Sequence, residues 1–174
     1  WRSGDLLDPL NGALGGSAGA TAVIRNGTVQ PSRSPRFGLR GIRQIRLVPP
    51  VYGWMIGDGG LVMMTGDGGA SWQSPPGEPP PEVARQIDFA AMAVVGPNCW
   101  IAGSPGSHVL HSPDAGRTWT LQPTGQPLPI YGLSFADESH GSAVGSLGTV
   151  LVTDDGGKSW SAARAGGRRV AVLG

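Results

Sequence analysis

Gly53-Trp-Met-Ile-Gly57-Asp-Gly-Gly60-Leu-Val-Met-Met-Thr65-Gly-Asp67-Gly-Gly69-Ala-Ser71-Trp72 is the run on which the fold turns. Its last eight residues fit the pattern [Ser/Thr]-x-Asp-x-Gly-x-[Ser/Thr]-Trp. Two further copies follow, Ser112-Pro-Asp114-Ala-Gly116-Arg-Thr118-Trp119 and Thr153-Asp-Asp155-Gly-Gly157-Lys-Ser159-Trp160. The three aspartates are 47 and 41 residues apart. A repeat at that period is the signature of stacked supersecondary units, each too small to bury its own apolar face.

The repeat extends upstream of each box. Gly57 and Gly60 precede the first, Gly145 and Gly148 the third, with the second glycine seven residues before the aspartate in both. In the middle copy the pair is Gly103 and Gly106, and Gly106 stands eight residues ahead of Asp114, one extra residue that a bulge or longer turn would absorb. Each copy reads as a short apolar strand, a second strand, a Gly-rich turn and a third strand. The aspartate turn and a fourth strand opening at the tryptophan complete it; in the last copy the first three strands are 133–135, 142–145 and 149–153. Glycine suits the turns because it takes positive φ without penalty, and the aspartate can fold onto nearby backbone N–H groups. The tryptophan buries a large ring between sheets. The predicted fold is therefore an all-β propeller of four-stranded antiparallel blades with Asp-box hairpins. The boxes (Thr65, Asp67, Gly69, Trp72; Ser112, Asp114, Gly116, Trp119; Thr153, Asp155, Gly157, Trp160) are read as structural staples.

Composition agrees with that reading. Thirty Gly and sixteen Pro make up more than a quarter of 174 residues, a level that reads either as low complexity or as dense turns. An apolar fraction of 39% with six Trp argues for turns, since disordered chains lack bulky residues to bury. A net charge of +1 excludes a global field for nucleic acid or anionic membrane. Cys99 stands alone, so no internal disulfide forms. No run of about 18 apolar residues suggests a membrane span. Twelve of the thirteen basic residues are Arg, which fits either a GC-rich genome or a surface that prefers planar cations.

The units expected are an irregular N-terminal segment with a possible partial blade at 1–40, blades with Asp boxes at 41–82, 83–127 and 128–166, and the start of a next blade at 167–174. Within the first, Ala22-Val-Ile-Arg-Asn26-Gly27-Thr-Val-Gln30 reads as a hairpin with a type I′ turn. Ser74-Pro-Pro-Gly-Glu-Pro-Pro-Pro81 reads as a stiff connection between blades. The pattern breaks off at both termini, so the chain is expected to be a portion of a longer protein.

The boxes, each preceded by a Gly-x-x-Gly strand pair, resemble the photosystem II stability/assembly factor family of propellers. The resemblance covers about residues 41–174 and is nearly residue for residue from Gly53 to Trp72; from Gly141 to Trp160, Ser142 replaces the first Trp. It implies a seven-bladed ring of which this chain is an arc, and an extracytoplasmic location in the periplasm, thylakoid lumen or cell surface. It implies no enzyme, no cofactor and no metal. The function implied is that of a binding or scaffold module, an accessory to a membrane-embedded, photosynthetic or other, protein complex. The family's Arg-rich contact patch has no motif by which to carry it over. The stretch Arg33-Ser-Pro-Arg36-Phe-Gly-Leu-Arg40-Gly-Ile-Arg43-Gln-Ile-Arg46, five Arg in fourteen residues without an acid, is the candidate partner surface. Arg40, Arg43 and Arg46 recur every third residue and are expected on alternating strand faces.

The runner-up is a carbohydrate-related propeller, a degenerate or truncated glycosidase. Sialidase chemistry would need an arginine triad and a Tyr–Glu pair; only Tyr52 and Tyr131 and three Glu exist, and no Arg-Ile-Pro motif occurs. Other glycosidases need two facing carboxylates. Asp67, Asp114 and Asp155 are committed to turns on this reading. His108 and His111, three apart in a strand, fall on opposite faces and make a poor metal pair.

Overall fold

A computed structural model describes residues 1–33, 38–84 and 86–163. Its strands form four sheets, each antiparallel and each built in chain order. The first comprises β1 (Ser3–Asp8), β2 (Asn11–Gly15), β3 (Thr21–Arg25) and β4 (Thr28–Pro31); the second β5 (Ile42–Val48), β6 (Tyr52–Gly57) and β7 (Leu61–Thr65). The third comprises β8 (Asp88–Val95), β9 (Asn98–Ser104), β10 (His108–Ser112) and β11 (Thr120–Pro123). The fourth comprises β12 (Ile130–Phe135), β13 (Gly141–Gly145), β14 (Val150–Thr153) and β15 (Ser161–Ala162). In the second blade the fourth-strand position is held by bridges alone, Met64 to Gln73 and Arg33 to Ser71.

The N-terminal segment departs from expectation. It is not irregular: Ser3–Pro31 is a full four-stranded blade. Its outer hairpin turns through Asn26 and Gly27 at φ of 49° and 75°, the paired left-handed residues of a type I′ turn. That turn stands where the other blades carry an Asp box. It makes the same backbone link, because Gly27 N–H donates to the Leu10 carbonyl as Gly68 does to Val51, Ala115 to Pro97 and Gly156 to Ser139.

The inner strands β1, β5, β8 and β12 lie side by side in chain order, the arrangement of blades around a propeller axis. β5, β8 and β12 each carry a bulge near their start, between Ile42 and Gln44, Phe89 and Ala91, and Ile130 and Gly132. The extra residue of the middle repeat sits in the turn between β9 and β10. Pro105-Gly106-Ser107 there replaces the short 3-10 turn seen at Asp58–Gly60 and Ser146–Gly148.

Apolar burial is organised by joints between blades. Among the described residues three clusters form, one per joint. Ala13 meets Ile45, Met55 and Trp72 at the first; Trp54 and Ile56 meet Phe89, Met92 and Ile101 at the second; Trp100 and Val109 meet Ile130, Ala143 and Leu151 at the third. Burying each such side chain is worth about 1.5–3 kcal/mol, so neighbouring blades hold one another folded. The fourth blade's far face breaks the series. Val144 and Val150 are 48% and 44% exposed, whereas Ile56 and Val62, their counterparts in the second blade, are 0% and 6% exposed beneath the third. The described residues thus form an open propeller arc.

Candidate functional site

The three Asp boxes share one geometry. In the first, Thr65 Oγ1 donates to Asp67 Oδ1 (2.8 Å) and accepts from Gly69 N–H (2.9 Å). Asp67 also accepts from Ser71 N–H (2.8 Å) and Ser71 Oγ (2.6 Å). Ser112, Asp114, Gly116 and Thr118 repeat the set, as do Thr153, Asp155, Gly157 and Ser159. Bonds from the Ser159 hydroxyl and amide hold the Asp155 carboxyl down at about 2. The Thr118 amide and hydroxyl hold Asp114 below its ordinary value. Burial pushes Asp67 up, but the summed bonds of Ser71 and Thr65 outweigh it and the group also lies low.

Each box is pressed onto the preceding blade. Gly116 has a φ of 82°, and a Cβ there would lie 2.8 Å from Pro75 and 2.9 Å from Trp54. Trp119 Nε1 donates to the Gly77 carbonyl (3.1 Å), and Gly77 N–H donates to Gly116 O (2.7 Å). The proline-rich connection therefore clamps the third blade's box before ending in one helical turn, Pro81–Ala84. Box carboxylates that accept three or four hydrogen bonds within their own turn are poor candidates for chemistry.

The arginine stretch is divided by the fold. Arg43 Nε lies 2.6 Å from Asp58 Oδ1, and Gly41 N–H donates to Asp58 Oδ2 (3.1 Å). Arg40 flanks Gly59, and Arg2 flanks Gly41 from the start of the first blade. One guanidinium, that of Arg43, thus pairs with Asp58, while Arg40 and Arg2 lie beside the flanking glycines at the end of the inner strands where β5 begins. Arg46 is exposed further along β5, opposite Trp54. Arg33 goes elsewhere: its N–H donates to Ala70 O and its carbonyl accepts from Trp72 N–H, beside the first box on the outer perimeter. Arg36 lies outside the described residues.

Arg2 is the member that sequence reading missed. Thirty-eight residues separate it from Arg40, and only the adjacency of β1 and β5 brings it near. The every-third spacing of Arg40, Arg43 and Arg46 does not produce simple alternation. The strand begins at Ile42, and the bulge before Gln44 frees Arg43 to reach Asp58.

Other polar groups are tied into structure. Asp8 and Asp137 close the first hairpin turns of their blades, Asp8 accepting from Leu10 and Asn11 and Asp137 from Ser139 and His140. The His140 and Ser139 amides hold Asp137 at about 2. Asp5 accepts from Leu47 N–H, and Asp88 from Gly59 N–H. Every described carboxylate whose titration departs from the ordinary value moves down, the wrong direction for a general acid. Cys99 is buried, which pushes its thiol up, away from nucleophilic thiolate chemistry. Among the described residues no group of three His, Cys, Asp or Glu is placed to hold a metal, and no helix is long and apolar enough to cross a membrane.

Comparison with known proteins places this geometry in a family. The family model for "Photosynthesis system II assembly factor YCF48" matches residues 40–131. The photosystem II assembly lipoprotein Ycf48 of Synechococcus sp. (strain CC9902) is 31% identical over 120 residues, 68% of this chain and 35% of that protein. This chain thus spans about a third of the length of the curated relatives it matches. The structure described as "YCF48 bound to D1 peptide" superposes with a TM-score of 0.62 at 21% identity, covering 89% of this chain and 43% of that one. An ancestral GH74 enzyme superposes with a TM-score of 0.70 at 13% identity, over 94% of this chain and 23% of the enzyme, a likeness of fold alone. With boxes, strand order and family match in agreement, the chain belongs to the photosystem II assembly factor Ycf48 family of β-propellers.

Proposed function

We propose that this chain supplies part of the protein-binding surface of a non-catalytic propeller, an assembly or accessory factor for a membrane protein complex outside the cytoplasm. Family membership supports the assembly role, and the lipoprotein relative supports the location. The arc is one section of a larger ring. The observation that carries the binding surface is the grouping of Arg2, Arg40 and Arg43 at the start of β5, where Arg43 alone pairs with Asp58, with Arg46 beyond. Arg43 spends only its Nε on Asp58, and no carboxylate pairs with Arg2 or Arg40 among the described residues, so donors are left unspent; Arg forks pair bidentately with carboxylates. The partner is therefore a protein segment rich in acidic side chains or ending in a free carboxylate.

A glycosidase reading gains nothing from the GH74 likeness at 13% identity, and the box aspartates are committed to hydrogen bonds within their turns. The test is affinity purification of the intact protein from its native membranes, with mass spectrometry of what accompanies it. Recovery of a membrane complex, lost when Arg40 and Arg43 become Glu, is the expected result. Recovery of glycans alone, indifferent to those substitutions, would overturn the proposal.

A further inference from the structure

The third joint contains a chain of aromatic and polar side chains running from β10 to the fourth blade. His111 on β10 stacks on Trp100 of β9 (centroids 4.8 Å apart, 7° between planes), and Trp100 stacks on Phe135 of the fourth blade (3.8 Å, 7°). Trp100 Nε1 donates to the carbonyl of Gly156 in the fourth blade's box (2.8 Å). The same carbonyl is approached by Gln122 Nε2 at 3.4 Å, and Gln122 Nε2 also lies 3.4 Å from His111 Nδ1. The other ring nitrogen, His111 Nε2, lies 2.9 Å from Asn98 Oδ1.

These contacts assign the proton. Asn98 Oδ1 can only accept, so Nε2 carries the hydrogen and Nδ1 presents a lone pair to the Gln122 amide. Gln122 is 7% exposed, and its Oε1 has no partner. A buried orphan of this kind is costly, and it persists here because the amide nitrogen serves both His111 and Gly156. Turning the amide over would remove the Gly156 bond and place an oxygen at Nδ1. That arrangement suits only a protonated ring.

We propose that the His111–Gln122–Gly156 chain makes the joint between the third and fourth blades acid-sensitive. A proton on His111 Nδ1 confronts the amide N–H, turns the Gln122 side chain over, and withdraws one of the two side-chain bonds holding the fourth blade's box to the third blade. The charged groups acting on the ring are Lys158 of the fourth blade's box, which opposes the proton, and Asp114 of the third blade's, which favours it. The Trp100 face also favours a cation. Burial is the largest influence and opposes it, and the net direction is down from the ordinary 6.5. The neutral ring belongs to the folded joint, so its stabilisation is complete above about pH 6.5 and is lost as pH falls from there towards the depressed folded value.

The test is a titration of the intact protein by NMR, following the His111 ring resonances together with amide exchange in the segment 155–159. His111 titrating below 6.5 is expected. Exchange in the box, corrected for intrinsic chemistry, should accelerate as pH falls below about 6.5, by no more than about tenfold per unit for one proton. His111→Phe keeps the ring stack and should flatten that response. Gln122→Glu offers Nδ1–H an acceptor and should raise the His111 titration. A wild-type His111 that titrates at or above 6.5, or an acid response unchanged in His111→Phe, overturns the proposal. The wild-type titration decides even if a variant fails to fold.

Discussion

The Trp119 ring of the third blade's box stands edge-on to Trp54 of the second blade, with centroids 5.9 Å apart and planes at 84°. Trp54 is 5% exposed and Trp119 half-buried, so the pair closes the outer rim of that joint. The equivalent Trp72 is 2% exposed, yet its Nε1 has no partner, whereas Trp119 Nε1 reaches the Gly77 carbonyl. Truncation should therefore cost about 3–5 kcal/mol at Trp72→Ala and less at Trp119→Ala. The Phe variants should invert part of that order, because Trp119→Phe loses a hydrogen bond worth about 1 kcal/mol and Trp72→Phe loses none. Denaturant melts of the four variants check both rankings.

Asp155 gives a pH prediction with a fixed sign. Its folded carboxyl lies at about 2 against the ordinary 3.8, because the ionised form accepts the box hydrogen bonds. The stability it adds is present above the unfolded value and is lost as pH falls from 3.8 towards 2. Asp155→Asn should melt below wild type at neutral pH, with the gap closing through that window. A gap that stayed constant down to pH 2 would show that the charge on Asp155 is not what the box uses.

Leu147 occupies the middle of the turn between β13 and β14 at φ 55°, with its side chain 92% exposed. The matching residue in the second blade is Gly59, at φ 61°. A left-handed conformation costs a non-glycine residue about 1–2 kcal/mol, and glycine's greater unfolded-state freedom takes back about 0.5–1. Leu147→Gly should stabilise by up to about 1 kcal/mol, seen as a higher Tm in calorimetry.

These sites differ in how far sequence alone discloses them. The boxes are local: Asp, hydroxyl, Gly and Trp within eight residues contain nearly all their own bonding, so spacing reveals them. The first blade was hidden because Asn26-Gly27 replaces its box. Even so, Gly16-Ser-Ala-Gly19 carries the same Gly-x-x-Gly turn as Gly57–Gly60 and would have disclosed it. The arginine grouping is non-local. Arg2 joins it through strand adjacency, and Arg33 leaves it because its backbone pairs with the box at Ala70 and Trp72. The His111 chain depends on a glutamine and a carbonyl from different blades, which no spacing rule connects.

Asp58 separates the binding and folding roles of the arginine grouping. Its Oδ2 accepts from Gly41 N–H, a bond that an Asn oxygen can also accept, while the charge on Oδ1 serves Arg43. That ion pair is partly exposed, at 44% and 29% for the two side chains, so Asp58→Asn should cost no more than about 1 kcal/mol of stability. The same substitution releases a guanidinium and makes the grouping more positive. Affinity for an acidic peptide should rise, and rise most at low ionic strength, where screening reaches least far into the surface field. Arg43→Glu should act oppositely, with weaker binding and a flatter salt dependence. Fluorescence anisotropy at about 0.05 M and about 0.5 M salt reads both slopes. Tighter binding in Asp58→Asn with near-native melting would assign the grouping to recognition; unchanged affinity in both variants would leave these arginines as an ordinary solvated rim.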